Sequence, residues 1–310
     1  MAKYLVLSAL ILGLGCAPQT PRPELGAEAI LNLQVLEILG PSIDNDRPLY
    51  LPHSLAINRL KEFYIADYGN DRVVKLDSNF SFVKEVGGFG TGEYALNGPS
   101  DLALDKISNV YVIDSGNRRV TRYDRHLNFI SSDDSFSKDE EIKFIRPTGI
   151  DISDRGDIFL GDEGLGACYK LDQFFFYIYE FGSKSDIQPV YTPADIAYGS
   201  DNKIYVADSE YSRVFVYDDF GLLIQTIGED ILQKPSAVAV SKTSGIWVTD
   251  EETGVLHCFS YRGDEIFRWS GHGSQRLLAP TGLFVDSDDV IYIVDSTASR
   301  IFVTRPIIRK

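Results

Sequence analysis

The chain has 310 residues, 44% of them hydrophobic, and its 30 Lys+Arg against 45 Asp+Glu give a formal net charge of −15. That acidity repels phosphate backbones, and no Lys/Arg run offsets it, which disfavours nucleic acid as a partner. The hydrophobic content supports a sizeable core; length alone suggests two domains, but a fixed internal period makes one closed array the better expectation.

Residues 1–16 read as a targeting segment outside the fold. Lys3 supplies a positive start and residues 5–14 (LVLSALILGL) a short apolar run, followed by Gly15 and Cys16. Such a run is too short to span a bilayer, which takes about 20 residues, but suits a signal peptide. Residues 17–30, with Pro18, Pro21 and Pro23, read as a semi-extended tether. Residues 31–40 (LNLQVLEILG) form one strand ending in glycine.

From residue 52 the chain repeats itself six times. Pro52, Pro99, Pro147, Pro193, Pro235 and Pro280 recur at intervals of 47, 48, 46, 42 and 45 residues, and Asp67, Asp114, Asp162, Asp208, Asp250 and Asp295 each follow 15 positions later. After each proline, apolar residues alternate with small ones, as in Leu55/Ile57 and Leu102/Leu104; period 2 means a strand, and small partners such as Ala56 and Ala103 suit crowding about an axis. A second strand carries a ring three positions before its aspartate (Tyr64, Tyr111, Phe159, Tyr205, Trp247, Tyr292), sized to fill the wedge between diverging sheets. A four-residue turn and a third strand follow, and then a fourth, as at 80–86 and 174–181. Four antiparallel strands per period make a propeller blade. The sixth copy stops after three strands, so the strand at 31–40 is predicted to complete it and close the ring. The expected fold is all-β: a six-bladed propeller over 31–310, closed by its N-terminal strand.

FYIADYGNDRVVKLD (63–77) and VGGFGTGEYALNGPSDLALD (86–105) resemble NHL repeats, and the pattern extends over residues 31–305. The resemblance implies a binding platform, with a minority of the family being enzymes. The Gly15-Cys16 step likewise resembles the lipobox of bacterial lipoproteins, although Gly13 and Leu14 depart from it. It implies lipidation of Cys16 and a place in the cell envelope, on the outer membrane where there are two, because Ala17 is not the aspartate that retains such proteins at the inner one.

Several residues are candidates for chemistry. Asp101, Asp151 and Asp195 fall on the innermost strands of blades two to four, and His53 begins that strand in blade one. Converging carboxylates can hold a hard cation such as Ca²⁺, or can bond backbone amides instead. The amidating lyases similar to this fold hold zinc with several histidines, whereas only His53 of four maps to the channel here. Gluconolactonase-type propellers hold a divalent cation with glutamate, asparagine and aspartate, which leaves a metal-dependent hydrolase using the channel aspartates as the alternative to a non-catalytic scaffold. The pairs Asp67/Arg72, Asp114/Arg119, Asp208/Arg213 and Asp295/Arg300 are expected to pin their turns. Blades three and five have Ala167 and Val255 in place of arginine, leaving Asp162-Glu163 and Asp250-Glu251-Glu252 without that counter-charge. The aromatic strand FFFYIYEF (174–181) offers Phe175, Tyr177 and Tyr179 for a protein or glycan partner. The acidic insertion at 131–144 reads as a mobile surface loop. Cys168 and Cys258 lie a whole copy apart and read as buried thiols.

Overall fold

The computed structural model describes residues 30–43, 47–137, 141–184, 186 and 188–309; Cys16 and nearly all of the expected tether lie outside them. Five of the six prolines open an inner strand and Pro52 stands two residues before one, and each repeat forms one four-stranded antiparallel sheet in chain order. The inner strands are Ser54–Ile57, Pro99–Leu104, Pro147–Ile152, Pro193–Tyr198, Pro235–Val240 and Pro280–Val285. The sixth sheet is completed by Ile30–Leu39, one residue earlier than expected, lying against Arg300–Ile308 with Val35 opposite Thr304 and Leu39 opposite Ile301. The ring therefore closes by strand pairing between the two ends of the fold.

Period-2 alternation sends successive side chains to opposite neighbours, so the core is six clusters, one in each gap between blades. The six rings predicted as wedge fillers are all buried in these gaps, as are the thiols of Cys168 and Cys258.

The repeated aspartate is buried in every blade. Its carboxylate accepts the backbone N–H of the residue two before the proline: Tyr50, Asn97, Ile145, Tyr191, Gln233 and Leu278, at 2.6 to 3.1 Å. It thereby ties the incoming connector to the end of the second strand. Arginine joins this arrangement in three blades, Arg72 to Asp67 and Arg119 to Asp114 at 2.7 Å and Arg300 to Asp295 at 2.8 Å. The expected fourth pair does not form: Arg213 meets Glu229 at 3.1 Å, while Asp208 accepts the N–H groups of Tyr191, Thr192, Glu210 and Tyr211. Blades three and five draw their counter-charge from the residue before the proline, Arg146 on Glu163 at 2.7 Å and Lys234 on Glu251 at 2.8 Å.

The acidic insertion is docked. Ser135–Ser137 and Glu141–Lys143 form a ribbon that buries Phe136 and Phe144 against Tyr169 and Phe175 of blade three. Its apolar members anchor it while its charges stay in water.

The closure has a direct test in alternate positions of one strand. Leu33 is 2% exposed and Leu31 53%. Leu33→Ala is expected to cost about 2–4 kcal/mol in urea unfolding, and Leu31→Ala no more than about 0.5 kcal/mol. Equal effects would contradict the observed register.

Candidate functional site

The inner strands surround a channel. Three residues that follow the prolines hold it together through hydroxyls that donate to the next blade: Thr148 to Pro193 O, Ser236 to Pro280 O at 2.6 Å and Thr281 to His53 O at 3.0 Å. The fit is close enough to require glycine at Gly149, where a Cβ would stand 2.7 Å from the Cα of Asp195.

On one side of this waist the channel encloses about 330 Å³ and is lined by Asp101, Asp151 and Asp195 among the inner strands. Each carboxylate spans two blades. Asp101 accepts the N–H of Leu102 and of Ile150, both at 2.8 Å. Asp151 accepts those of Ile152 at 2.8 Å and Tyr198 at 2.7 Å, and Asp195 those of Ile196 at 2.7 Å and Val238 at 2.8 Å. Both oxygens of all three are thus engaged by backbone, in a run of links from blade two to blade five. Among the described residues, no three His, Cys, Asp or Glu side chains stand together in an arrangement that could hold a metal ion.

These side chains are half-buried along the channel wall, and the loss of hydration there dominates their protonation. It pushes Asp101 up to about 7 despite the hydrogen bonds from Ser54, Ile150 and Leu102 that oppose it, with the charge of Asp151 adding a little. Burial raises Asp151 to about 6 and, with the charges of Asp101 and Asp151, lifts Asp195 well above the usual carboxylate range.

His53 lies on the other side of the waist, at a mouth shared with Tyr68, Asn97, Arg146, Lys234 and Glu251. Its ring stacks on Tyr68 with centroids 4.0 Å apart, and burial lowers it to about 4 against the opposing pull of Glu251, leaving a neutral imidazole at pH 7. The sequence-derived set of four therefore separates: three aspartates on one side, His53 on the other.

The aromatic strand has the opposite parity to that expected. Phe175 is buried beneath the docked ribbon, while Tyr177 and Tyr179 are half-buried, with the Tyr179 hydroxyl donating to Asp219 O at 2.7 Å. Phe174, Phe176 and Ile178 face solvent at 67%, 56% and 44% exposure. The reason is local: Phe175 takes a positive φ of 62° in the turn entering the strand, which turns its side chain inward.

The mouth carries a rim that was not singled out from sequence. The residue two before each proline has its N–H fixed by the blade aspartate and its side chain directed outward, which exposes Tyr50, Ile145, Tyr191 and Leu278. Gly69 permits this for Tyr50, whose ring occupies the space a Cβ would need. The signal was available, because these residues share the proline period.

The pH dependence follows from the raised carboxyls. The folded state holds protons that an unfolded chain releases near pH 4, so this contribution to stability is lost as pH rises through the folded values. His53 has the opposite sign, since its depressed value makes acid destabilising, and its contribution fades only above about pH 7.5, once the unfolded imidazole has lost its proton. Between pH 6.5 and 8.5 the unfolding free energy is expected to fall by on the order of 1–2 kcal/mol. Asp195→Asn should flatten this slope while lowering stability at every pH, because its amide cannot accept the second N–H. A slope unchanged in the variant would remove Asp195 from the titrating set.

The NHL repeat family model matches residues 191–217, in blade four. The E3 ubiquitin-protein ligase NHLRC1 of Mus musculus is 27% identical over 144 residues, which is 46% of this chain and 36% of that protein. The Rattus norvegicus protein of the same name is 28% identical over 115 residues, covering 36% and 29% of the two chains. The chain thus matches only about a third of these relatives' length. Among solved structures, a streptogramin B lyase superposes with a TM-score of 0.62 at 15% identity, covering 90% of this chain and 99% of that one. A catalytically inactive histidine-to-alanine variant of virginiamycin B lyase from Staphylococcus aureus, with quinupristin, gives 0.58 at 12% identity, covering 89% and 99%. At such identities the likeness concerns the fold. Architecture and repeat match together describe a six-bladed β-propeller with an NHL repeat in its fourth blade.

Proposed function

We propose that this protein is a non-catalytic recognition scaffold of the cell envelope, held at a membrane through lipid on Cys16, which takes a protein or glycan partner at the channel mouth. The observation that carries this reading is the engagement of all six channel carboxylate oxygens by backbone N–H groups. A cation such as Ca²⁺ or a reacting water would have to take the remaining lone pairs of oxygens already bound to strand backbone. The mouth, in contrast, presents tyrosines that combine apolar area with a hydroxyl, as interfaces do. Tyr50 and Tyr191 are exposed by 56% and 57%, and Tyr191 packs edge-on to Tyr211 at 6.1 Å. The lyase likeness concerns the fold, and His53 is stacked on Tyr68 and held neutral.

The test is capture from detergent-solubilised envelopes with the wild-type chain and with the triple variant Tyr50→Ser, Ile145→Ser and Tyr191→Ser. These side chains are about half exposed, with one face packed on a neighbour, so each substitution should lower stability by no more than about 1 kcal/mol. Partners retained by the wild type are expected to be lost from the variant. Unchanged capture, or turnover of a lactone by the wild type that Asp195→Asn abolishes, would overturn the reading. Cys16→Ser is expected to move the chain from the membrane to the soluble fraction.

A further inference from the structure

The two ends of the propeller differ in their exposed chemistry. One end carries the connectors and the turns between second and third strands, which bond each other through pairs such as Gly69 N to Tyr50 O and Gly116 N to Asn97 O. Antiparallel pairing puts the turns between first and second strands, and between third and fourth, at the opposite end.

The third-to-fourth turns share one frame. A capping side chain accepts the N–H groups two and four residues later: Asp77 from Asn79 and Ser81, Asp124 from His126 and Asn128, Asp172 from Phe174 and Phe176, Asp218 from Phe220 and Leu222, Ser260 from Arg262 and Asp264. The positions are therefore equivalent. Blades one, two and five fill them with polar residues, as water requires. Blades three and four fill them with Phe174, Phe176, Phe220 and Leu222, exposed by 67%, 56%, 84% and 68%. The two turns are neighbours: the Tyr179 hydroxyl of blade three bonds Asp219 O in the blade-four turn, and a Cβ on Gly221 would stand 3.0 Å from the Tyr179 ring.

We propose that these two turns form a bilayer-contact surface, inserting Phe174, Phe176, Phe220 and Leu222 into the interfacial region of a zwitterionic membrane. The proposal rests on the reading that the chain is anchored through Cys16. Two observations favour lipid over a protein partner, and a third selects its headgroup. The four side chains carry no polar atom, unlike the tyrosines at the connector end, so nothing in them requires a hydrogen-bonding partner. The chain also enters the fold at this end, because Ile30 lies opposite Ile308, where the third strand of blade six finishes. The stretch from Cys16 to Ile30 can span at most roughly 45 Å. Finally, the caps at this end are largely carboxylates (Asp77, Asp124, Asp172, Asp218), which disfavour an anionic headgroup and select a zwitterionic one. In this pose the channel mouth faces away from the membrane, free to meet its partner.

The test places a tryptophan at Phe220 (Phe220→Trp) or, at the connector end, at Phe89 (Phe89→Trp), which is 79% exposed. Trp247 and Trp269 are buried and give a constant background. The full-length anchored chain is reconstituted into phosphatidylcholine vesicles with and without brominated acyl chains. The added emission in Phe220→Trp is expected to shift to the blue and to be quenched by brominated lipid, while that in Phe89→Trp stays aqueous. A chain that pellets with vesicles but leaves Phe220→Trp unquenched would overturn this proposal and keep the anchor; a chain that fails to pellet would remove both. Self-association in detergent that Phe174→Ser with Phe220→Ser abolishes would assign the surface to a second copy instead.

Discussion

Every blade depends on one buried carboxylate receiving the backbone of the segment that enters it. The aspartate ending each second strand holds the N–H of the residue two before the inner proline, so the turn, the connector and the start of the inner strand are fixed together. A carboxylate suits this position because it accepts several N–H groups at once and carries a charge that strengthens each bond. Arginine is an accessory to the arrangement. Where it is missing, as at Ala167 and Val255, the aspartate still binds the connector, and a basic residue before the proline neutralises the neighbouring glutamate.

A second set of carboxylates does for the ring what the first does for the blade. Asp101, Asp151 and Asp195 each bridge adjacent inner strands, and their raised protonation records burial within a narrow channel lined by like charges. Their chemistry is directed at backbone, which turns the channel into a structural seam. At the channel mouth, by contrast, side chains are held outward by a backbone already fixed from beneath, which is the surface the proposed recognition would use.

This division explains why the two ends of the propeller can differ so much without disturbing the fold. At each end the backbone is secured by side-chain acceptors, blade aspartates at the connectors and Asx-type caps at the opposite turns. The outward positions are consequently free to carry tyrosine, polar residues or phenylalanine, according to what each surface meets.

The architecture was legible because its causes are periodic. Proline and aspartate at constant separation, alternation within strands and a sixth copy short of one strand together determine blade number, strand order and closure, since each is a matter of local pattern and counting. The channel was legible in part: the repeat places Asp101, Asp151 and Asp195 on inner strands, yet the recipient of their oxygens is an N–H on another blade, more than 40 positions away for each. The aromatic strand shows the same limit. Alternation alone assigns Phe175, Tyr177 and Tyr179 outward, but a positive φ at Phe175 and a ribbon docked from the preceding connector reverse the exposed face. Arg213 likewise had two acidic partners within reach, and Asp208, saturated by backbone, left it to Glu229. Sequence by itself determined what repeats; tertiary structure decided which of several competent partners each side chain meets, because that choice depends on distances between segments that no local pattern encodes.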